Sequence, residues 1–191
     1  MMKFKALVLS SLIAFPAFSA WQLDNTNSTV NFISTKKSEV SEVHHFEKLM
    51  GEIGDNGTVT LAIDLASVNT NIEIRDQRMR DFLFNTAEFT KATFSADVDL
   101  AFIKAMAVGE QKVIPLSGVI DLHGKQQKVD VKVQVVKLAA NRILVNSFKP
   151  LLLNAKQFDL AAGVAKLQEI AQLPSISNAV PVTFSLTYVD K

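Results

Sequence analysis

From Ala20 onward the chain alternates apolar and polar residues for long stretches. Val30 and Phe32 flank Asn31, and Val59, Leu61 and Ile63 alternate with Thr58, Thr60, Ala62 and Asp64. The same period runs through Phe94, Ala96, Val98, Leu100 and Phe102, and through Leu116, Gly118, Ile120 and Leu122. It returns in Val129, Val131, Val133 and Val135, and in Val182, Phe184, Leu186 and Tyr188. Side chains of a strand point to its two faces in turn, so each run predicts a strand with one apolar face. Gly54-Asp55-Asn56-Gly57, Gly109-Glu110, His123-Gly124 and Asn141 supply the turns. Strands at this spacing predict an all-β antiparallel sandwich or barrel.

Two stretches break the alternation. Ser67, Asn69 and Asn71 offer turn and N-cap chemistry, after which Ile72, Asp76, Met79 and Leu83 recur three or four residues apart. This predicts an amphipathic helix over 72–84, with Asp76 and Arg80 as an i,i+4 pair, lying across one end of the barrel. Asp159 is expected to cap a second helix carrying Leu160, Val164, Leu167 and Ile170, which Pro174 ends. The connection before it, Lys149-Pro150-Leu151-Leu152-Leu153-Asn154, is unusually apolar, as expected of a loop packed on that helix or buried at a cavity mouth, so that helix 72–84 and loop 149–158 are both expected near the mouth.

The first nineteen residues differ in kind. Lys3 and Lys5 precede an apolar run from Ala6 to Phe15, and Ala17-Phe18-Ser19 has the small-x-small form of a cleavage site. This predicts a secretory signal peptide over 1–19, cleaved after Ser19 or one residue later, and one domain over 20–191 in the periplasm. Without Lys3 and Lys5, the 20 basic residues become 18 against 19 acidic, a net of −1. Nothing in that balance points to nucleic acid. The chain has no cysteine, which excludes thiolate metal sites and cysteine nucleophiles. No other run reaches 18 apolar residues, so no membrane span is expected in the mature chain.

Alternation does not say which face is inside. A membrane barrel turns its apolar face to lipid and carries aromatic girdles. This chain has one Trp and one Tyr, and Lys128, Asp130 and Lys132 share one strand face. The apolar face is therefore expected inside. A barrel of about eight strands is either filled by its side chains or holds one small ligand, and both readings stay open here. An interior of Val, Leu, Ile, Phe and Ala, if hollow, suits a hydrocarbon chain.

Candidate catalytic and metal-binding residues reduce to little. His44 and His45 are adjacent and so point to opposite faces of a strand, and His123 stands in no metal-ligand spacing with them. Ser117, Asp121 and His123 share a strand face but lie about 6.6–6.8 Å apart per two residues, too far for a nucleophile and its base. No enzyme activity, metal or cofactor is expected. Arg75, Asp76, Arg80 and Asp81 form a charge cluster that reads as a solvated helix face with intrahelical pairs, or as one in which Arg75 or Asp76 anchors the helix over the barrel end or meets a ligand's head group.

The order and spacing of several motifs resemble the YceI-like family. They are Trp21-Gln22-Leu23-Asp24 with Ser28 and Phe32, then Ile63-Asp64-Leu65-Ala66-Ser67-Val68-Asn69-Thr70. Arg75-Asp76, Arg80-Asp81, Leu83-Phe84, Phe89 and Ala92-Thr93-Phe94 follow, then Leu116-Ser117-Gly118, Leu122-His123-Gly124 and Val182-Thr183-Phe184. The resemblance implies a lipocalin-like extended antiparallel β-barrel with one or two short helices near its end, binding or carrying an isoprenoid or quinone-type lipid. It also places His44-His45-Phe46 at the barrel rim. On this reading the lumen and mouth are formed by Phe32, Met79, Leu83, Phe89, Phe94, Val98, Ile120, Leu122, Val131, Val133, Phe184 and Leu186. The alternative is a filled barrel acting through its surface, as a partner of a cytochrome b561-like membrane redox protein or in a stress response.

Overall fold

A computed structural model describes residues 21–190, so the signal-peptide reading of 1–19 lies outside the described residues. The chain order is β1 (Trp21–Leu23), β2 (Thr29–Lys36), β3 (Val40–Phe46), β4 (Leu49–Ile53), β5 (Thr58–Asp64) and β6 (Val68–Asn69). α1 (Glu73–Arg78) then continues as a π-helical turn, Met79–Leu83. β7 (Lys91–Asp97), α2 (Leu100–Ala105), β8 (Gln111–Leu122), β9 (Lys125–Ala139), β10 (Arg142–Ser147) and β11 (Leu151–Asn154) follow, and α3 (Ala161–Ile170) and β12 (Ala179–Asp190) complete the order.

All pairings are antiparallel, and β1, β4, β5, β7, β8, β9, β10 and β12 form a ring that closes through β12 and β1. β2, β3, β6 and β11 extend the ring at one end, continuing β1, β4, β5 and β10. The result is a closed eight-stranded barrel with neighbours in chain order. Side chains splice the interruptions where strands bend. Asn25 accepts from the Leu49 amide (2.7 Å) and donates to the Glu47 carbonyl (3.0 Å), while Ser67 Oγ accepts from the Lys48 amide (3.0 Å). Closure removes free sheet edges, and bends of this kind let a sheet close.

The apolar face turns inward, with Val133 and Val135 buried and Lys128, Asp130 and Lys132 exposed on the same strand, β9. One end is sealed. Here the expected strand through Phe102 is corrected: Asp99 caps a helix by accepting from the Ala101 amide (2.8 Å), and α2 drives Leu100 and Ile103, followed by Met106, into the core. Capping outcompetes continued alternation because an aspartate satisfies an otherwise orphaned helix N–H. Lys137 Nζ lies 4.9 Å from the Trp21 ring, and both residues are buried.

The other end carries α1 with its π turn, the β2–β3 and β8–β9 hairpins, and α3. Three expectations are corrected there. Leu151–Asn154 is strand β11 paired with β12, not a loop. Asp159 does not cap α3; it stands in the left-handed region (φ 58°) at the end of the 3-10 turn Ala155–Phe158, and α3 starts after Leu160. Asp76 does not pair with Arg80, whose guanidinium binds Glu73 (2.6 Å) instead. α3 crosses the π turn so closely that a Cβ on Gly163 would fall 2.5 Å from the Phe82 carbonyl oxygen.

Candidate functional site: an apolar lumen with a charged mouth

A cavity of about 600 Å³ runs along the barrel axis. On β8 its wall extends from Ile114 to Leu122, roughly 27 Å of strand at ~3.4 Å per residue, or about 20 Å along the axis after the usual tilt. Its volume falls within the ~300–1,000 Å³ typical of small-molecule sites. The length and the lining suit a chain better than a compact polar metabolite.

Phe32, Met79, Leu83, Phe94, Val98, Ile120, Leu122, Val131, Val133, Phe184 and Leu186 all line this cavity. Phe89 does not. Its ring packs 4.2 Å from the His123 ring and beneath Gly124, bracing the β8–β9 turn from outside. The helix pattern could not distinguish these positions, because Phe89 lies past the π turn, where the period has already changed. Gly118 has the opposite role: a Cβ there would fall 2.4 Å from the Phe94 ring, so its bareness admits that ring into the wall.

Sequence reasoning set the apolar segment 149–158 near the mouth but named none of its side chains, nor those of α3, as lining. Leu151, Leu153, Ala155, Phe158, Leu160 and Val164 close the lumen beneath α3, and Phe158 is almost wholly buried. Phe158 sits in a 3-10 turn whose start is capped by Asn154, which accepts from the Lys156 amide (3.0 Å). An Asn four residues before a Phe was the available signal.

Charge gathers at the open end. Lys36 Nζ (2.6 Å) and Arg75 Nη1 (3.0 Å) both donate to Glu42 Oε2. The Lys36 hydrogen bond, then that of Arg75, hold the Glu42 carboxyl below its ordinary range against the effect of burial. Arg75 also donates from Nε to Thr70 Oγ1 (2.8 Å) and from Nη2 to the Thr70 carbonyl (2.7 Å). The buried Asp76 carboxylate accepts from the Thr70 amide (2.8 Å) and from its hydroxyl. Together these bonds pin the start of α1. Arg75 lines the cavity and Asp76 does not. Arg78, three residues beyond Arg75, also lines the cavity.

The histidines diverge as strand geometry requires. His45 is half-buried, whereas His44 points inward and is 3% exposed, with Nε2 2.8 Å from Ser34 Oγ. His44 thus stands in the lumen wall, not at the rim. Burial, then the Arg75 charge, push its pKa down. Ser117 donates to Asp130 (2.6 Å), and Asp121 accepts from Gln126 (3.0 Å), so neither meets His123 in a catalytic arrangement. Among the described residues no group of three or more acidic or histidine side chains is placed to hold a metal, and no helix is long and apolar enough to cross a membrane.

The sequence model of the YceI-like domain matches residues 21–188. No curated protein sequence matches the chain. Among solved structures, the chain is similar to a polyisoprenoid-binding domain from Saccharophagus degradans, implicated in plant cell wall breakdown. The two share 44% identity and a TM-score of 0.89, over 91% of this chain and 99% of that one. BcnA from Burkholderia cenocepacia follows at 20% identity and TM-score 0.67, covering 86% of this chain and 98% of that one. A YceI protein from Campylobacter jejuni shares 15% identity at TM-score 0.52, covering 100% and 92%. The last two speak to the fold alone.

Proposed function

Because this chain belongs to the YceI-like family, we propose that it is a soluble periplasmic protein that binds or carries an isoprenoid-type lipid, its chain held in the lumen. The observation that carries this reading is the hollow apolar interior of about 600 Å³, opening at one end beside α1. The Saccharophagus relative, a polyisoprenoid-binding domain, supports the same ligand class. The mechanism is non-covalent. Full burial gives roughly 0.8 kcal/mol per CH₂, or about 4 kcal/mol for a five-carbon unit. Three such units offset most of the ~4–15 kcal/mol cost of association. A filled barrel working through its surface would leave no such space.

Mass spectrometry on an organic extract of the mature protein, purified from its own periplasm, tests the proposal. About one isoprenoid per protein, absent from a denatured control, is the expected result. A protein that carries no lipid and also excludes a fluorescent lipid probe overturns it.

A further inference from the structure

Exposed apolar side chains gather around the open end. Ile72 is 47% exposed and Ile74 58%, yet both also line the cavity, so the apolar lining continues from the lumen onto the outer surface of α1. Val40, at the start of β3, is exposed as well. Arg75 donates to Glu42 and so ties α1 to one strand of the β2–β3 hairpin. Beside the other strand, the Lys37 amide donates to the Ser175 carbonyl (3.0 Å) and holds the segment after α3, from which Leu173 and Ile176 line the same cavity. The rim is thus apolar on both sides of the hairpin.

Ile72 also occupies a position that helix stability would give to another residue. It is the N-cap of α1, in the extended backbone that a capping side chain needs (φ −139°, ψ 101°), and it makes no side-chain cap hydrogen bond. Asp, Asn or Ser there would satisfy a free helix N–H; a half-exposed isoleucine forgoes that bond. Glu73 is taken by Arg80, and Glu42 by Lys36 and Arg75. Apolar area is therefore the larger part of what the rim offers a partner.

We propose that this rim docks on a lipid bilayer, with Val40, Ile72 and Ile74 entering the boundary between head groups and acyl chains. Interfacial binding grows with the apolar area buried, and exposed apolar side chains grouped on one surface mark a place of contact. A bilayer is the partner that fits, because the rim is continuous with a lumen suited to a hydrocarbon chain, and such a chain is stored in a membrane. A chain leaving an acyl layer beside Ile74 meets apolar side chains from there into the lumen. The inference rests on the lipid reading above and adds to it the surface from which the ligand is taken.

Flotation of the delipidated protein with vesicles of phosphatidylethanolamine and phosphatidylglycerol in equal parts tests this. The wild type is expected to float with the vesicles and to keep more than half of its bound fraction in about 0.5 M salt. Ile74→Glu should lower the partition about tenfold, whereas Val108→Glu, at an exposed apolar position of the sealed end, should leave it unchanged. Ile72→Asp separates docking from folding: as a cap it should raise the urea midpoint, and it should weaken flotation. A wild-type protein that binds a fluorescent lipid probe in solution but does not float overturns the docking and leaves the lipid reading intact. Flotation that salt abolishes, or that Ile74→Glu and Ile72→Asp leave unchanged, does the same. Self-association in sedimentation that Ile74→Glu abolishes would assign the rim to a second copy of the chain, which also overturns the proposal. A protein that neither binds the probe nor floats overturns both readings.

Discussion

Phe184 and Asp97 belong to the same alternating pattern but face opposite ways. Phe184 lines the lumen, while Asp97 is exposed and accepts a hydrogen bond from Thr58 (3.3 Å). Phe184→Ala should weaken binding of geranylgeraniol by about 1.5–3 kcal/mol, and Asp97→Asn should leave it nearly unchanged. Fluorescence displacement reads both, and equal retention in the two variants would count against a lumen-bound chain. His44 yields a second prediction at this scale. Its folded-state pKa lies below the ordinary 6.5, mainly through burial. Between those two values the unfolded chain binds more protons than the folded one. The stabilisation is therefore complete above about 6.5 and is lost as pH falls below it. Glu42 is depressed from 4.5 by Lys36, so its contribution persists to lower pH and fails only as its carboxylate protonates. His44→Gln should flatten the fall in urea stability that sets in below pH 6.5 while leaving the fall below 4.5. An unchanged slope across the upper window would refute the assignment. Residue-scale reading succeeded where facing is set by a period of two, as for Val131, Val133 and Phe184. It missed Arg78 in the cavity lining, because which side chains reach the mouth is a tertiary fact that no spacing records.

The elements that decide the mouth are those whose local signals compete. Two consecutive residues with positive φ, Lys37 (54°) and Ser38 (63°), make the β2–β3 turn, where neither residue is the Gly or Asn that usually marks such a turn. The long run after Phe94 read as strand because its alternation outlasts the strand itself; Asp99 ends it. Helix 72–84 was legible from its period. Its change to π winding at Met79 was not, because it coincides with contact from α3. That contact can be tested through Gly163. In an open helix, Gly→Ala stabilises by about 1 kcal/mol. Here the added methyl meets the Phe82 carbonyl at 2.5 Å and Leu83 Cα at 2.8 Å, and overpacking of that kind costs about 1–3 kcal/mol. Gly163→Ala should therefore lower urea stability by roughly 1–2 kcal/mol and speed amide exchange over residues 79–84. A gain in stability would mean that α3 does not press on the π turn.

At the scale of the whole molecule, the barrel carries a hollow where most domains of this size have solid core. Its rigidity comes from ring closure and from the α2 seal, with Ile103 and Ile143 almost fully buried at that end. The lumen is lined by side chains, Phe32 and Phe184 among them, that lack apolar neighbours on one side, and such walls forfeit part of their packing energy. A chain that fills the space restores those contacts only in the folded state, so ligand binding and stability are linked. A probe at one hundred times its Kd should add about 2.7 kcal/mol. For a domain of this length that is a rise of roughly 5–10 °C in Tm. Geranylgeraniol or its phosphate added to delipidated protein should produce this shift in a thermal melt, and Phe184→Ala should need more ligand to reach it. An interior that does not admit the chain would melt at one temperature whatever is added. The melt therefore distinguishes a working lumen from an empty space that the protein never uses.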